Sequence, residues 1–244
     1  MPLRERESET LRLLKLVLLI GFTSVLVFAS PVNCTEQTLA NYMTMSGSCV
    51  IGRLEFSNFG YHPDSINGGT PPAANQIMVD PTNAGGNPGL DFLASWMAQG
   101  VAGGDTGITY EVTVLPGEPL LTSATLDLVF TVTHPVVALG VKETICMTGQ
   151  GLDSCPLADQ VVLDLNNVSG NPPASTSVTF APTSQISVLK DVQIKGETFP
   201  ASGIITEVSN HYPAAAVPEP MSSLLGVSGL LLIAAHLVRR RVTP

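Results

Sequence analysis

Basic side chains are scarce between Ser30 and Val217, where only Arg53, Lys142, Lys190 and Lys195 stand against sixteen acidic residues, a net charge of −12. A surface of that sign repels phosphate backbones and argues against nucleic-acid binding. It suits a soluble extracytoplasmic domain, or one that holds cations. Aromatic residues make up 5% of the chain, with a single tryptophan, Trp96, so there is little material for a sugar-stacking platform. Trp96 shares a strand face with Leu90 and Phe92, which predicts a core position. No CxxC pair occurs and the four histidines are scattered, which speaks against a thiolate metal site. No serine lies in a GxSxG elbow, and nothing in the linear order sets a carboxylate beside His62, His134 or His211; solvated loop positions are predicted for these histidines. "VAGGDTG" lacks the lysine of a phosphate loop and reads as a turn. No internal repeat is evident, which sets aside solenoids and propellers.

What is plentiful is Gly (22), Pro (19), Val, Thr and Ser, the balance of a turn-rich β protein. Nine runs are apolar or alternating and are separated by Gly, Pro, Asn or Asp: "VIGRLEFSNF", "GLDFLASWMA", "GITYEVTVL", "TSATLDLVFTVT", "ALGVKETICM", "DQVVLDLN", "STSVTF", "SQISVLKDVQIKG" and "GIITEVSN". The alternation is cleanest for Ile108, Tyr110, Val112 and Val114, and for Leu126, Leu128, Phe130 and Val132. Strands at this spacing without intervening helices predict an all-β, antiparallel β-sandwich, jelly-roll or immunoglobulin-like. One short helix is expected first, with Leu39, Tyr42 and Met43 on one face, Thr35 as its cap and Gly47 at its end.

Cys34, Cys49, Cys146 and Cys155 form an even set, which in an exported chain suggests disulfides. Of the three connectivities, nearest-neighbour pairing, Cys34 with Cys49 and Cys146 with Cys155, is favoured. "DPTNAGGNPGLD" places Asp80, Gly85 and Asp91 at positions one, six and twelve of an EF-hand loop, but Thr82, Ala84 and Pro88 occupy ligand positions. A turn-rich connection supported by Asn83 and Asn87 is predicted, with a calcium site of another kind as the competing reading. Paired carboxylates for glycoside hydrolysis are a matter of spatial separation, which the linear order does not give.

The remaining seven basic residues sit at the two ends. Arg4, Arg6, Arg12 and Lys15 precede an uncharged apolar stretch from Leu16 to Ala29, which reads as a secretory signal peptide over residues 1–29, cleaved after Ala29 or one residue later. An uncleaved anchor is the competing reading. At the other end, Met221 to Val238 carries no formal charge and would form a helix of about 27 Å, close to a hydrocarbon core of about 30 Å. Arg239, Arg240 and Arg241 follow as a positive-inside stop.

The order Val217, Pro218, Glu219, Pro220, then an apolar helix and an arginine cluster, resembles the PEP-CTERM sorting signal of certain Gram-negative bacteria. The resemblance covers residues 214–244. It implies recognition by an exosortase-like enzyme, processing near 218–220, transient membrane attachment through 221–238, and delivery to the cell envelope, cell surface or extracellular matrix. The middle, residues 30–213, is loosely similar to β-rich ectodomains that accompany this signal, in which an early cysteine pair brackets a short helix and a stretch like "FSNFGY" follows. That likeness implies nothing catalytic and no cofactor. The leading expectation is an exported structural or matrix-associated protein. The alternatives are a module that binds extracellular polysaccharide with or without calcium and, behind it, an exported hydrolase. The placement of Asp64, Asp80, Asp91, Asp105 and Trp96 discriminates among them, since a shared pocket would favour binding or catalysis.

Overall fold

A computed structural model describes residues 32–132, 137–149, 151–166 and 175–213. The segments expected to be a signal peptide (1–29), a sorting motif (217–220), an apolar helix (221–238) and a basic stop (239–241) lie outside the described residues, as does His134. Among the described residues, no helix is long and apolar enough to cross a membrane.

Thirteen strands are described. They are β1 (Val32–Asn33), β2 (Gln37–Thr38), β3 (Cys49–Ile51), β4 (Leu54–Ile66), β5 (Met78–Thr82), β6 (Gly89–Gln99) and β7 (Gly103–Val114). Then come β8 (Leu121–Val132), β9 (Val137–Cys146), β10 (Gln160–Asp164), β11 (Ser175–Thr183), β12 (Gln185–Gly196) and β13 (Ser202–His211). A seven-stranded sheet runs β1-β3-β4-β7-β12-β9-β10, and a six-stranded sheet runs β11-β8-β13-β6-β5-β2. Every pairing is antiparallel except β1 with β3. The result is the expected β-sandwich, and each of the nine alternating runs contains a strand, the first of them spanning the turn from β3 to β4.

Period-two alternation explains the packing, because successive side chains leave opposite faces of a strand. Ile108, Tyr110, Val112 and Val114 of β7 point into the core, as do Ile186, Val188, Val192 and Ile194 of β12. Leu90, Phe92, Trp96 and Val208 meet them from the other sheet. Trp96 is fully buried and its indole N–H donates to Thr106 Oγ1 at 3.3 Å, as its strand face predicted.

Several local expectations need correction. Helix α1 (Leu39–Thr44) is capped by Thr38, whose side chain accepts from the Asn41 N–H at 3.4 Å. The carbonyl of Thr35 instead accepts from the Tyr42 hydroxyl at 2.8 Å. Leu39 and Tyr42 are buried but Met43 is exposed, because a helix this short lays only one narrow stripe on the sandwich. The second half of "VAGGDTG" is strand: Gly103 to Thr106 pair with Ile66 to Pro63 on one side and Lys195 to Val192 on the other. Gly103 is required there, since a Cβ would stand 2.0 Å from the Ile194 carbonyl. "DPTNAGGNPGLD" forms a hairpin in which β5 and β6 pair with Asp80 opposite Asp91, joined by a 3-10 turn over Ala84–Gly86.

Both favoured disulfides are formed, Cys34 with Cys49 and Cys146 with Cys155. Such bonds persist where thiols are not kept reduced, in keeping with a secreted chain.

Candidate functional site

The outer face of the seven-stranded sheet can be laid out from its register. One row runs Ser57, Glu111, Ser187 and Cys146 across β4, β7, β12 and β9. The next runs Gly60, Thr109, Leu189 and Thr144, and the third His62, Gly107, Asp191 and Lys142. Small residues keep the floor low. A Cβ on Gly60 would stand 2.4 Å from Thr109 Oγ1, so that hydroxyl lies flat only because residue 60 has no side chain.

Over this floor lies a cleft of about 320 Å3. One wall is the bulge of β4, where Asn58 and Phe59 oppose Tyr110 alone. Asn58 sits at φ 55, a left-handed conformation that asparagine tolerates. The bulge carries the Asn58 amide to Glu111, which accepts from Asn58 Nδ2 at 2.8 Å and from Gln185 Nε2 at 3.4 Å. The other wall is the segment bridged by Cys146 and Cys155, whose 3-10 turn brings Gly151, Leu152 and Asp153 to the rim. The Ser187 side chain is almost fully buried, and its hydroxyl has no hydrogen-bond partner among the described residues although it lines the cleft. A buried hydroxyl without a partner costs about 1–3 kcal/mol, so a polar guest that bonds it recovers that loss.

The residues singled out in sequence disperse. Asp64 and Asp105 face each other across β4 and β7, Asp80 and Asp91 across β5 and β6 in the opposite sheet, and Trp96 is in the core between. They share no pocket. His62 does reach the cleft. His211 is the last residue of β13, not a loop residue, and its Nε2 lies 3.7 Å from Asp127 Oδ2, a pairing that strand register alone creates. Among the described residues, no group of three or more His, Cys, Asp or Glu is arranged to hold a metal ion. Asn58, Thr109, Glu111, Asp153 and Ser187 were not anticipated. The one signal for them is that Glu111 stands out of phase with the buried face of its strand.

Beside the cleft, Asp191 holds its proton up to about 7, because burial penalises its charge and the Asp105 carboxyl shares a hydrogen bond with it, with Lys142 opposing. The folded protein therefore binds this proton more tightly than the unfolded chain, whose aspartates titrate near about 4. Stability contributed by this group falls as pH rises from about 4 to about 7. Asp191→Asn is expected to flatten that part of a plot of urea midpoint against pH; an unchanged slope would assign the proton to another group.

No family model matches the chain, and no curated protein matches it. Solved structures do show likeness. The carbohydrate-binding module TmCBM61, in complex with beta-1,4-galactotriose, is 8% identical over 63% of this chain and 88% of its own, with a TM-score of 0.28. The mannan-recognising module TmCBM27 is 8% identical over 76% of this chain and 100% of its own, with a TM-score of 0.28. The enzymatically active domain of tailspike protein 4 from Bacteriophage CBA120 is 12% identical over 64% of this chain and 20% of its own, with a TM-score of 0.29. Likenesses at these scores carry no argument about function, which has to come from the residues themselves.

Proposed function

We propose that the chain is an exported β-sandwich that binds extracellular polysaccharide in the cleft on its seven-stranded sheet. The observation that carries this reading is the buried Ser187 hydroxyl, which has no hydrogen-bond partner among the described residues and lies in the cleft beside the Glu111 carboxylate. Amide, hydroxyl and carboxylate groups alternate there with the apolar sides of Leu152 and Leu189, a mixture that suits a sugar's hydroxyl groups and C–H faces. Asn58 Nδ2 and Gln185 Nε2 both donate to Oε2 of Glu111, which leaves Oε1 to accept from ligand hydroxyls. The sorting signal at Val217 to Pro220 and the arginines at 239–241 would deliver the sandwich to the outer surface through an exosortase-like enzyme, where such polymers lie.

A polysaccharide array probed with the full chain, with calcium and with EDTA, tests this. Binding in both arms is expected. Signal lost with EDTA would make calcium part of the site, and silence in both arms would leave the structural, matrix-associated role. Glu111→Ala is expected to weaken binding at least about tenfold, the worth of a hydrogen bond to a charged group, with the urea midpoint unchanged. Equal affinity would move the site off this cleft.

A further inference from the structure

The cleft does not use the most unusual group of side chains in the molecule. Lys190, Glu143 and Asn210 are fully buried between the two sheets. Lys190 and Glu143 are register partners on β12 and β9, and Asn210 comes from β13 in the opposite sheet. Lys190 Nζ donates to Glu143 Oε2 at 2.7 Å, and Asn210 Nδ2 donates to Glu143 Oε1 at 2.8 Å. The ammonium nitrogen of Lys190 also contacts Asn210 Oδ1. The Tyr110 hydroxyl reaches the same oxygen at 3.1 Å and lies 2.8 Å from the Tyr212 hydroxyl. The Phe92 ring covers the site 5.9 Å from Nζ.

Each part has a chemical role. An amine lies against a carboxamide, one carboxyl group touches both nitrogens, a hydroxyl donates to the carbonyl oxygen, and water is excluded. We propose that Lys190 and Asn210 are a self-modification site, joined in the folded protein by an amide bond between Nζ and Cγ with release of ammonia. The reaction begins with the proton of the ion pair on Glu143, so that Nζ is a neutral amine. Nζ attacks Cγ, and the negative charge that builds on Oδ1 is held by the Tyr110 hydroxyl. Nζ gives up a proton, Nδ2 receives one through Glu143, and the Cγ–Nδ2 bond breaks. One C–N bond forms and one breaks, ammonia leaves, and no oxidant, reductant or cofactor takes part. Holding both reactants in place supplies the acceleration that amide aminolysis lacks in water. Burial lowers the proton affinity of the Lys190 amine, against the pull of Glu143, which favours the nucleophilic form. Burial also raises the Tyr110 and Tyr212 hydroxyls well above their usual range, so both remain donors. The product would bolt one sheet to the other and close a ring between residues 20 apart in sequence.

Mass spectrometry of the full chain, reduced and alkylated, decides the matter, with the mature termini read from the same peptide map. The expected mass is about 17 Da below that of the linear sequence, the loss of one ammonia. Trypsin should fail to cut after Lys190, and one branched peptide should carry both residues. Glu143→Gln is expected to restore the full linear mass and cleavage after Lys190. Full linear mass in the wild-type protein, with Lys190 open to trypsin, would overturn the proposal whatever the variant does.

Discussion

Glu143→Ala, which by the same chemistry also leaves Lys190 and Asn210 unjoined, is expected to lower the unfolding free energy by at least about 3–5 kcal/mol, the cost of leaving one partner of a buried pair without the other. Both side chains are fully inaccessible to water. In the variant the Lys190 amine would keep Asn210 as a partner but lose the carboxylate that balances its charge. The Asn210 amide would lose its 2.8 Å acceptor in the same step. The chemistry also predicts what repairs the damage. Replacing the pair together, Lys190→Met with Glu143→Leu, removes the charge that has to be buried, and similar volumes are refilled by apolar groups. The double variant is therefore expected to be more stable than Glu143→Ala, in urea unfolding followed by tryptophan fluorescence. Equal losses in the two would mean that volume and not charge decides the site.

Trp96→Ala is expected to cost about 3–5 kcal/mol, because it opens a large cavity in a core that can collapse only partly. The indole is fully buried and bonds Thr106 from inside the sandwich. Trp96→Phe separates the two contributions: most of the volume remains, while the Thr106 hydroxyl loses its partner at about 1–3 kcal/mol. Urea midpoints measured by circular dichroism provide the comparison. An alanine variant that keeps the wild-type midpoint but loses polysaccharide would place Trp96 in the binding surface and contradict its position in the core.

Much of the sandwich could be read from the chain because one face of each central strand is dry. Ile108 to Val114 and Leu126 to Val132 alternate without interruption, and burial follows that alternation along β7 and through Leu128. Short edge strands carry no such period. β1 and β2 have two residues each, and β5 is interrupted by Pro81, so none of them appears as a run. The helix cap was misplaced by three residues for a related reason: Thr35 and Thr38 offer the same hydroxyl, and only the docking of Tyr42 selects between them.

The buried pair was half visible. Lys190 stands in phase with Val188 and Val192, and Glu143 with Val141 and Ile145, so each could have been assigned to a dry face. That they are each other's partner depends on the register of β12 against β9, and Asn210 arrives from the other sheet. The cleft was less visible still. Its floor comes from three strands, one wall from a bulge and the other from a disulfide-bridged turn. Local alternation therefore determined which residues of this protein are buried, and cysteine spacing which pairs close, because both are short-range properties of the chain. Which buried groups meet, and what the outer face presents to a ligand, was decided by strand register and sheet stacking, which bring together residues distant in sequence.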